Sequence, residues 1–145
     1  MYHSITFGSG NNAKNSWDDW HLVPSSRLIF SPPPIKTKYV DIPGADGSID
    51  LTETLLGRPA YENRTGELEF IVVNGYGEWK DRYSEILNYL HGRQMRAVLE
   101  DDPGYYYIGR FTVDEWGSEE NWSTITISYN VDPYKRSLTT DEAIL

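Results

Sequence analysis

Apolar residues recur at helical spacing in one stretch of the sequence, from Glu78 to His91. The apolar positions in this stretch are Trp79, Tyr83, Ile86, Leu87 and Leu90. Their spacing of i, i+4, i+7, i+8 and i+11 predicts an amphipathic helix whose apolar stripe spans roughly 100°. Gly92 follows where a left-handed residue commonly ends a helix. We therefore predict one helix with one side to bury, and we expect the five apolar residues in the core.

Apolar and polar residues alternate in four segments of the second half of the chain. These segments are 66–73, 95–99, 105–116 and 123–131. The core candidates on them are Leu68, Phe70, Phe111, Ile125 and Ile127. A loop at 117–121 joins the last two segments, which predicts a long hairpin. Because a single helix in a β-rich chain must lay its stripe on a sheet, the predicted fold is mainly β, an antiparallel β-sandwich with one covering α-helix.

Alternation also assigns the faces of segment 105–116. Tyr107, Phe111 and Val113 share one face, and Tyr106 lies on the other. We therefore expect Tyr106 on the polar side of the hairpin.

Turn-forming residues divide the first half of the chain. The triplet Pro32-Pro33-Pro34 excludes helix and sheet interior alike, so we predict a stiff turn before a strand at 35–40. A second turn at 43–47 indicates a hairpin or long loop. At 145 residues the chain is one domain by length. Since the strand pattern stops after Pro133, we predict a domain at 1–134, followed at 135–145 by a tail or the start of a missing C-terminal part.

Composition excludes several kinds of chemistry. The sequence contains no cysteine, which excludes disulfide bridges, thiol catalysis and thiolate metal sites. His3, His21 and His91 have no metal-ligand spacing, so we predict neither a metal nor a cofactor. Residues 1–16 lack the features of a secretory signal, and no stretch approaches the ~18 consecutive apolar residues of a membrane helix. We expect no membrane association.

Net charge decides between classes of partner. The chain carries a net charge of −9, from 22 acidic and 13 basic residues. Tight binding to a phosphate backbone would need a local basic patch, and none is visible in the sequence. We therefore predict no specific nucleic-acid binding.

Several short motifs, in their order and spacing, carry a family resemblance. They are Trp17-Asp18-Asp19-Trp20, Leu22-Val23-Pro24, Tyr39-Val40-Asp41-Ile42-Pro43-Gly44-Ala45-Asp46-Gly47, Asp50-Leu51-Thr52-Glu53, Gly57-Arg58-Pro59, Tyr89-Leu90-His91-Gly92, Asp101-Asp102-Pro103-Gly104-Tyr105-Tyr106-Tyr107 and Gly109-Arg110-Phe111. Together they resemble the amino-terminal domain of phage distal tail proteins, from siphoviruses and prophages of Gram-positive hosts. The resemblance covers residues 1 to about 135.

The resemblance implies a β-sandwich with one helix and a protruding hairpin, assembled as a hexameric ring at the far end of the tail tube. The implied partners are other copies of the chain, the tail tube protein and tail-tip or baseplate proteins, while DNA passes through the lumen. The implied location is the virion tail tip, after synthesis in the host bacterial cytoplasm. Members often carry a carboxy-terminal carbohydrate-binding domain, and this chain ends too early for one.

A ring closed by head-to-tail contacts needs two complementary patches on each subunit. Aromatic residues are enriched in such patches, and the chain has 5 Trp and 11 Tyr. We expect Trp17, Trp20 and Trp116 at the subunit interface. The alternative is that each of them is a core residue.

The sequence therefore predicts a structural virion protein, a ring adaptor that joins the tail tube to the baseplate or tail fibre, and not an enzyme. Paired carboxylates of a glycosidase could come from Glu119 and Glu120, or from Asp101 and Asp102. Neighbouring residues of a strand point to opposite faces, so neither pair flanks one bond. The alternative function is a carbohydrate-binding module involved in host attachment, because a sandwich with exposed aromatic residues is the usual form of such modules.

Overall fold

The computed structural model describes residues 3–118 and 123–145. The strands are β1 (Ile5–Phe7), β2 (Lys14–Asn15), β3 (Leu22–Pro24), β4 (Ile35–Lys36), β5 (Tyr39–Asp41), β6 (Ser48–Asp50), β7 (Ala60–Tyr61), β8 (Arg64–Val72), β9 (Arg93–Leu99), β10 (Tyr105–Ser118), β11 (Ser123–Val131), β12 (Lys135–Ser137) and β13 (Ala143–Ile144). The described helices are α1 (Trp79–Leu90) and a short 3-10 helix (Gly10–Asn12). Residues 119–121 of the predicted loop at 117–121 lie outside the described residues.

The main sheet is antiparallel and runs in the order β2-β1-β9-β10-β11-β8-β3. The two edge strands of this sheet, β2 and β3, follow each other in the chain and are joined by a short turn. Ser16 ties this turn to β1, since its amide donates to the carbonyl of Ile5 at 2.9 Å. The sheet therefore curls around one core, and the predicted fold class, a β-sandwich with one covering helix, is confirmed.

Cross-strand pairs build the centre of this core. Phe70 lies opposite Ile125, and Leu68 lies opposite Ile127, on the facing strands β8 and β11. Phe111, on β10, is fully buried beside them. The alternation of the sequence thus places all five strand candidates on the inner face. A slip of one residue would turn every one of them toward solvent.

Helix α1 covers this core with the C-terminal part of its stripe. Ile86 and Leu90 are fully buried, whereas Tyr83 and Leu87 are partly buried against the core. Gly92 follows the helix with a φ of +74°, the left-handed conformation that its position predicts.

Trp79, which was expected in the core, is instead 60% exposed. It is the first residue of α1 and lies about two turns before Ile86, the first fully buried apolar residue of the helix. Its ring meets that of Trp116 at a centroid distance of 6.2 Å and an angle of 44°. The N-terminal end of the stripe therefore lies at the surface.

A β-bulge in β10 changes the face to which its last residues point. The register with β11 shifts between Val113 and Glu115. Asp114 is the extra residue, and Trp116 consequently pairs with Ile125 and lies partly buried against the core. Strict alternation would have placed Trp116 on the outer face.

Residues 135–145, predicted as a tail or as the start of a further part, form a small hairpin that is hydrogen-bonded to the first residues of β10. Strand β12 pairs with β10, and β13 pairs with β12. Tyr106, expected on the polar face, is buried at this junction. Its hydroxyl donates to Asp141 at 2.8 Å, and the guanidinium of Arg96 lies 4.3 Å from its ring centroid. The C-terminal hairpin therefore covers a face that alternation marks as outward.

Residues 32–62, called the arm below, stand apart from the core. The arm consists of two short antiparallel ladders, β4 with β7 and β5 with β6. The predicted strand at 35–40 is thus divided between β4 and β5. No residue from 31 to 63 is buried. The arm has the form of the protruding hairpin that the family resemblance implies.

Candidate assembly surfaces

The arm carries much of the exposed apolar surface. Among the described residues, fifteen large apolar side chains are exposed, and eight of them belong to the arm. These eight are Ile35, Tyr39, Val40, Ile42, Ile49, Leu51, Leu55 and Leu56. Leu55 is 92% exposed. Monomeric proteins rarely leave a large apolar patch in water, so the arm is a candidate interaction surface.

The stem of the arm is held in place by contacts with the rest of the chain. Arg58 Nη1 donates to the hydroxyl of Tyr134 at 3.0 Å. The ring of Tyr61 meets that of Tyr134 edge to face, with 6.1 Å between centroids. Within the stem, the amide of Glu62 donates to the carbonyl of Pro34 at 2.7 Å. The arm therefore leaves the core as an ordered hairpin in a defined direction.

A second surface, the aromatic groove, lies between the start of α1 and the β10–β11 hairpin. It encloses about 550 Å³ and is lined by Trp79, Tyr83, Asp114, Glu115, Trp116 and Ser123. The rings of Tyr83 and Trp116 meet edge to face at 5.4 Å. Both carboxylates are exposed. The groove thus combines aromatic faces with hydrogen-bond acceptors.

Trp17, an interface candidate, belongs to a third aromatic cluster. It is partly buried, and its ring meets His21 at 5.2 Å and Tyr76 at 6.1 Å. His21 and Tyr76 stack at 3.7 Å with almost parallel planes. Tyr76 is exposed, so this cluster reaches the surface. An interface role for Trp17 stays a prediction.

Trp20, also expected at the interface, has no exposed surface. The turn between β2 and β3 directs it inward, where its ring lies 6.0 Å from Phe7 and 5.7 Å from Tyr89. A side chain enclosed by its own subunit cannot contact another subunit. The structure therefore corrects this assignment, and Trp20 belongs to the core.

The acidic pair Asp101 and Asp102 takes part in contacts that hold the chain together. Asp101 accepts from His3 Nδ1 at 2.8 Å, and Asp102 accepts from Lys135 Nζ at 2.6 Å. Glu119 and Glu120 lie outside the described residues. Within residues 3–118 and 123–145, no group of three or more potential ligands could hold a metal ion. In the same ranges, no helix has the length and apolar character needed to cross a membrane.

Sequence reasoning placed the interaction surface on tryptophans and assigned no contact role to the hairpin or long loop predicted around residues 43–47. The signal is present in the sequence, where Val40, Ile42, Ile49 and Leu51 lie on both sides of a turn in a segment bounded by prolines. Alternation alone does not reveal it, because a strand that contacts another molecule and a strand in a core have the same pattern.

Comparison with known proteins finds a likeness in fold. No protein-family model matches the sequence. No curated protein matches it either. Among solved structures, the chain is similar to SPP1 Dit (gp 19.1), described as a paradigm of the hub adsorption apparatus in phages that infect Gram-positive bacteria. The TM-score is 0.65 and the identity is 20%. The likeness covers 92% of this chain and 52% of SPP1 Dit, so the chain spans about half the length of that protein.

Proposed function

We propose that the chain is a structural component of a phage tail tip, a ring adaptor between the tail tube and the baseplate or tail fibre. The observation that carries the proposal is the ordered arm, which holds eight exposed apolar side chains away from the core. The fold likeness to SPP1 Dit supports the same role. This role requires binding surfaces and no chemistry of its own.

The position of the arm favours a head-to-tail assembly. A projecting hairpin contacts a surface different from itself, so each subunit offers one surface and receives another. Repeated with a fixed rotation, such a heterologous contact closes into a ring. We propose a hexameric ring, whose lumen admits DNA without binding it specifically, because the chain has a net charge of −9.

Sedimentation velocity and native mass spectrometry test the assembly directly. We expect the purified chain to form a species with six times the subunit mass. A chain that stays monomeric up to high micromolar concentration would contradict a self-closing ring.

A pair of variants tests whether the arm is the contact. Leu55→Ser/Leu56→Ser removes two exposed leucines from the arm and should shift the equilibrium toward monomers, because apolar anchors contribute strongly to an interface. The matched control, Leu138→Ser/Leu145→Ser, removes two exposed leucines outside the arm and should assemble like the wild type. Equal behaviour of the two variants would exclude these arm leucines from the contact.

The aromatic groove favours a second candidate function, a carbohydrate-binding module. Aromatic faces stack on the apolar faces of sugars, while carboxylates such as Asp114 and Glu115 accept hydrogen bonds from hydroxyl groups. Binding of the wild type to a glycan on an array, together with loss of that binding in Trp79→Ala, would support this function. A ring that ignores every glycan on the array would support the structural role alone.

A further inference from the structure

A basic cleft lies at one end of the curled sheet. Its positive charge is opposite in sign to the net charge of the chain. It encloses about 740 Å³ between the loop after β1, the end of α1 and strands β9 and β10. The eleven residues that line it are Gly8, Asn11, Asn12, Lys14, Asn88, Tyr89, Gly92, Arg93, Gln94, Met95 and Arg110. Three of the eleven are cationic and none is acidic, in a chain with 22 acidic residues against 13 basic ones.

Tyr89 gives the cleft a fixed wall. Its hydroxyl donates to the carbonyl of Asn12 at 2.6 Å and lies 2.9 Å from the carbonyl of Phe7, which ties the loop after β1 to α1. Gly8 has a φ of +82°, and a Cβ at this position would overlap the Tyr89 hydroxyl. Only glycine therefore allows this close approach of loop and helix.

The cations of the cleft have no carboxylate partner within the described chain. The ion pairs among the described residues join His3, Arg27, Lys80 and Lys135 to acidic residues, and none of these pairs involves a cation of the cleft. Arg110 Nη1 donates to the carbonyl of Gly92 at 3.1 Å, which fixes its position without neutralising its charge. A cleft with three cations outside any described ion pair favours an acidic occupant.

The tip of the arm has the complementary charge. Residues 41–53 contain Asp41, Asp46, Asp50 and Glu53 and no basic residue. All four are exposed. The amide of Thr52 donates to Asp50 at 2.9 Å, and the hydroxyl of Ser48 donates to Asp41, so two of these carboxylates have fixed positions.

No arm residue lines the basic cleft of its own subunit. We propose that the acidic arm tip of one copy docks in the basic cleft of the next copy. The cleft volume, about 740 Å³, falls within the roughly 300–1,000 Å³ of sites that enclose a compact ligand, and a short peptide turn is of that size. This inference rests on the proposed head-to-tail ring and names the surface that receives the arm.

Changes of charge test the docking at four side chains that form no hydrogen bond within the described residues. Lys14→Glu/Arg93→Glu changes the charge of the cleft from +3 to −1, and Asp46→Lys/Glu53→Lys changes the charge of residues 41–53 from −4 to zero. Each variant alone should raise the dissociation constant of assembly at least tenfold in sedimentation velocity, because the cleft variant places like charges against each other and the tip variant removes the attraction. An equimolar mixture of the two variants should assemble more tightly than either variant alone, since half of the junctions regain the native charges and the other half join the substituted lysines to the substituted glutamates.

The control is Arg27→Glu/Lys80→Glu, which changes the net charge as much as the cleft variant does but at two exposed sites elsewhere. It should assemble like the wild type, and circular dichroism should show all variants folded. If the wild type assembles and the cleft variant matches this control, the tip docks elsewhere, and the ring itself stands. If the two variants fail to assemble when mixed, the pairing of tip and cleft is overturned. A wild type that never assembles overturns both the ring and the docking.

Discussion

Arg82 Nη1 donates a hydrogen bond to the backbone carbonyl of Trp20 at 3.2 Å, across 62 positions of the sequence. Its other terminal nitrogen, Nη2, donates to the carbonyl of Val73 at 3.0 Å. One buried side chain of α1 thus connects the turn before β3 with the residue after β8. Burial lowers the pKa of this guanidinium, which nevertheless stays charged at neutral pH.

Replacing Arg82 should therefore destabilise the fold. We expect Arg82→Met to cost about 2–4 kcal/mol, because Met keeps most of the packing while a buried and a partly buried carbonyl lose a charged donor. Urea melts of the two proteins measure the difference. A variant as stable as the wild type would show that these hydrogen bonds contribute nothing net.

Two tryptophans of the chain should behave in opposite ways. Trp20→Ala removes a fully buried ring and should cost about 3–5 kcal/mol. Trp79→Ala removes a ring that is 60% exposed and should cost about 1 kcal/mol or less. Thermal or urea denaturation of the single variants measures both. Similar costs at the two sites would contradict the placement of one ring inside and the other outside.

Adjacent positions of β11 test the register of the sheet. Ile127 is fully buried opposite Leu68, whereas Thr126 lies opposite Glu69 on the outer face. Ile127→Asp should unfold the chain, because it buries an unpaired charge. Thr126→Asp should change the unfolding free energy by less than about 1 kcal/mol. Circular dichroism of both variants separates these outcomes, and equal effects would mean that the register is wrong.

The ion pair between Lys135 and Asp102 should give the C-terminal hairpin an alkaline pH dependence. The hydrogen bond to Asp102, 2.6 Å long, raises the pKa of Lys135 above its ordinary value of 10.5. The pair therefore stabilises the folded chain fully below about pH 10, and this contribution disappears as the pH rises through the raised pKa.

The variant Lys135→Met isolates that contribution. Both side chains are partly exposed, so we expect a difference from the wild type of about 1 kcal/mol or less at pH 8. The difference should shrink in urea melts at matched ionic strength as the pH rises past 10.5 and through the raised pKa of Lys135. A difference that stays constant across this range would mean that packing of the Lys135 stem, and not its charge, stabilises the hairpin.

The sequence alone determined the helix and the long strands of the second half of the chain, with the faces of most of them. Helical spacing located α1 and its cap at Gly92, and alternation located the inner faces of β8 and β11. These features depend on the 3.6-residue and two-residue periods of the backbone, which act between near neighbours in sequence. For that reason the periodic pattern of the chain was sufficient to predict them.

The tertiary structure alone decided which side chains are buried and which are exposed at the surface. Trp20 is buried because β1 and α1 close over the turn that holds it, while Trp79 is exposed because it lies beyond the covered part of the stripe. The basic cleft joins Lys14, Arg93 and Arg110, which are separated by up to 96 positions and form no basic run in the sequence. Burial and local charge are sums over neighbours in space, and folding brings those neighbours together from distant parts of the chain.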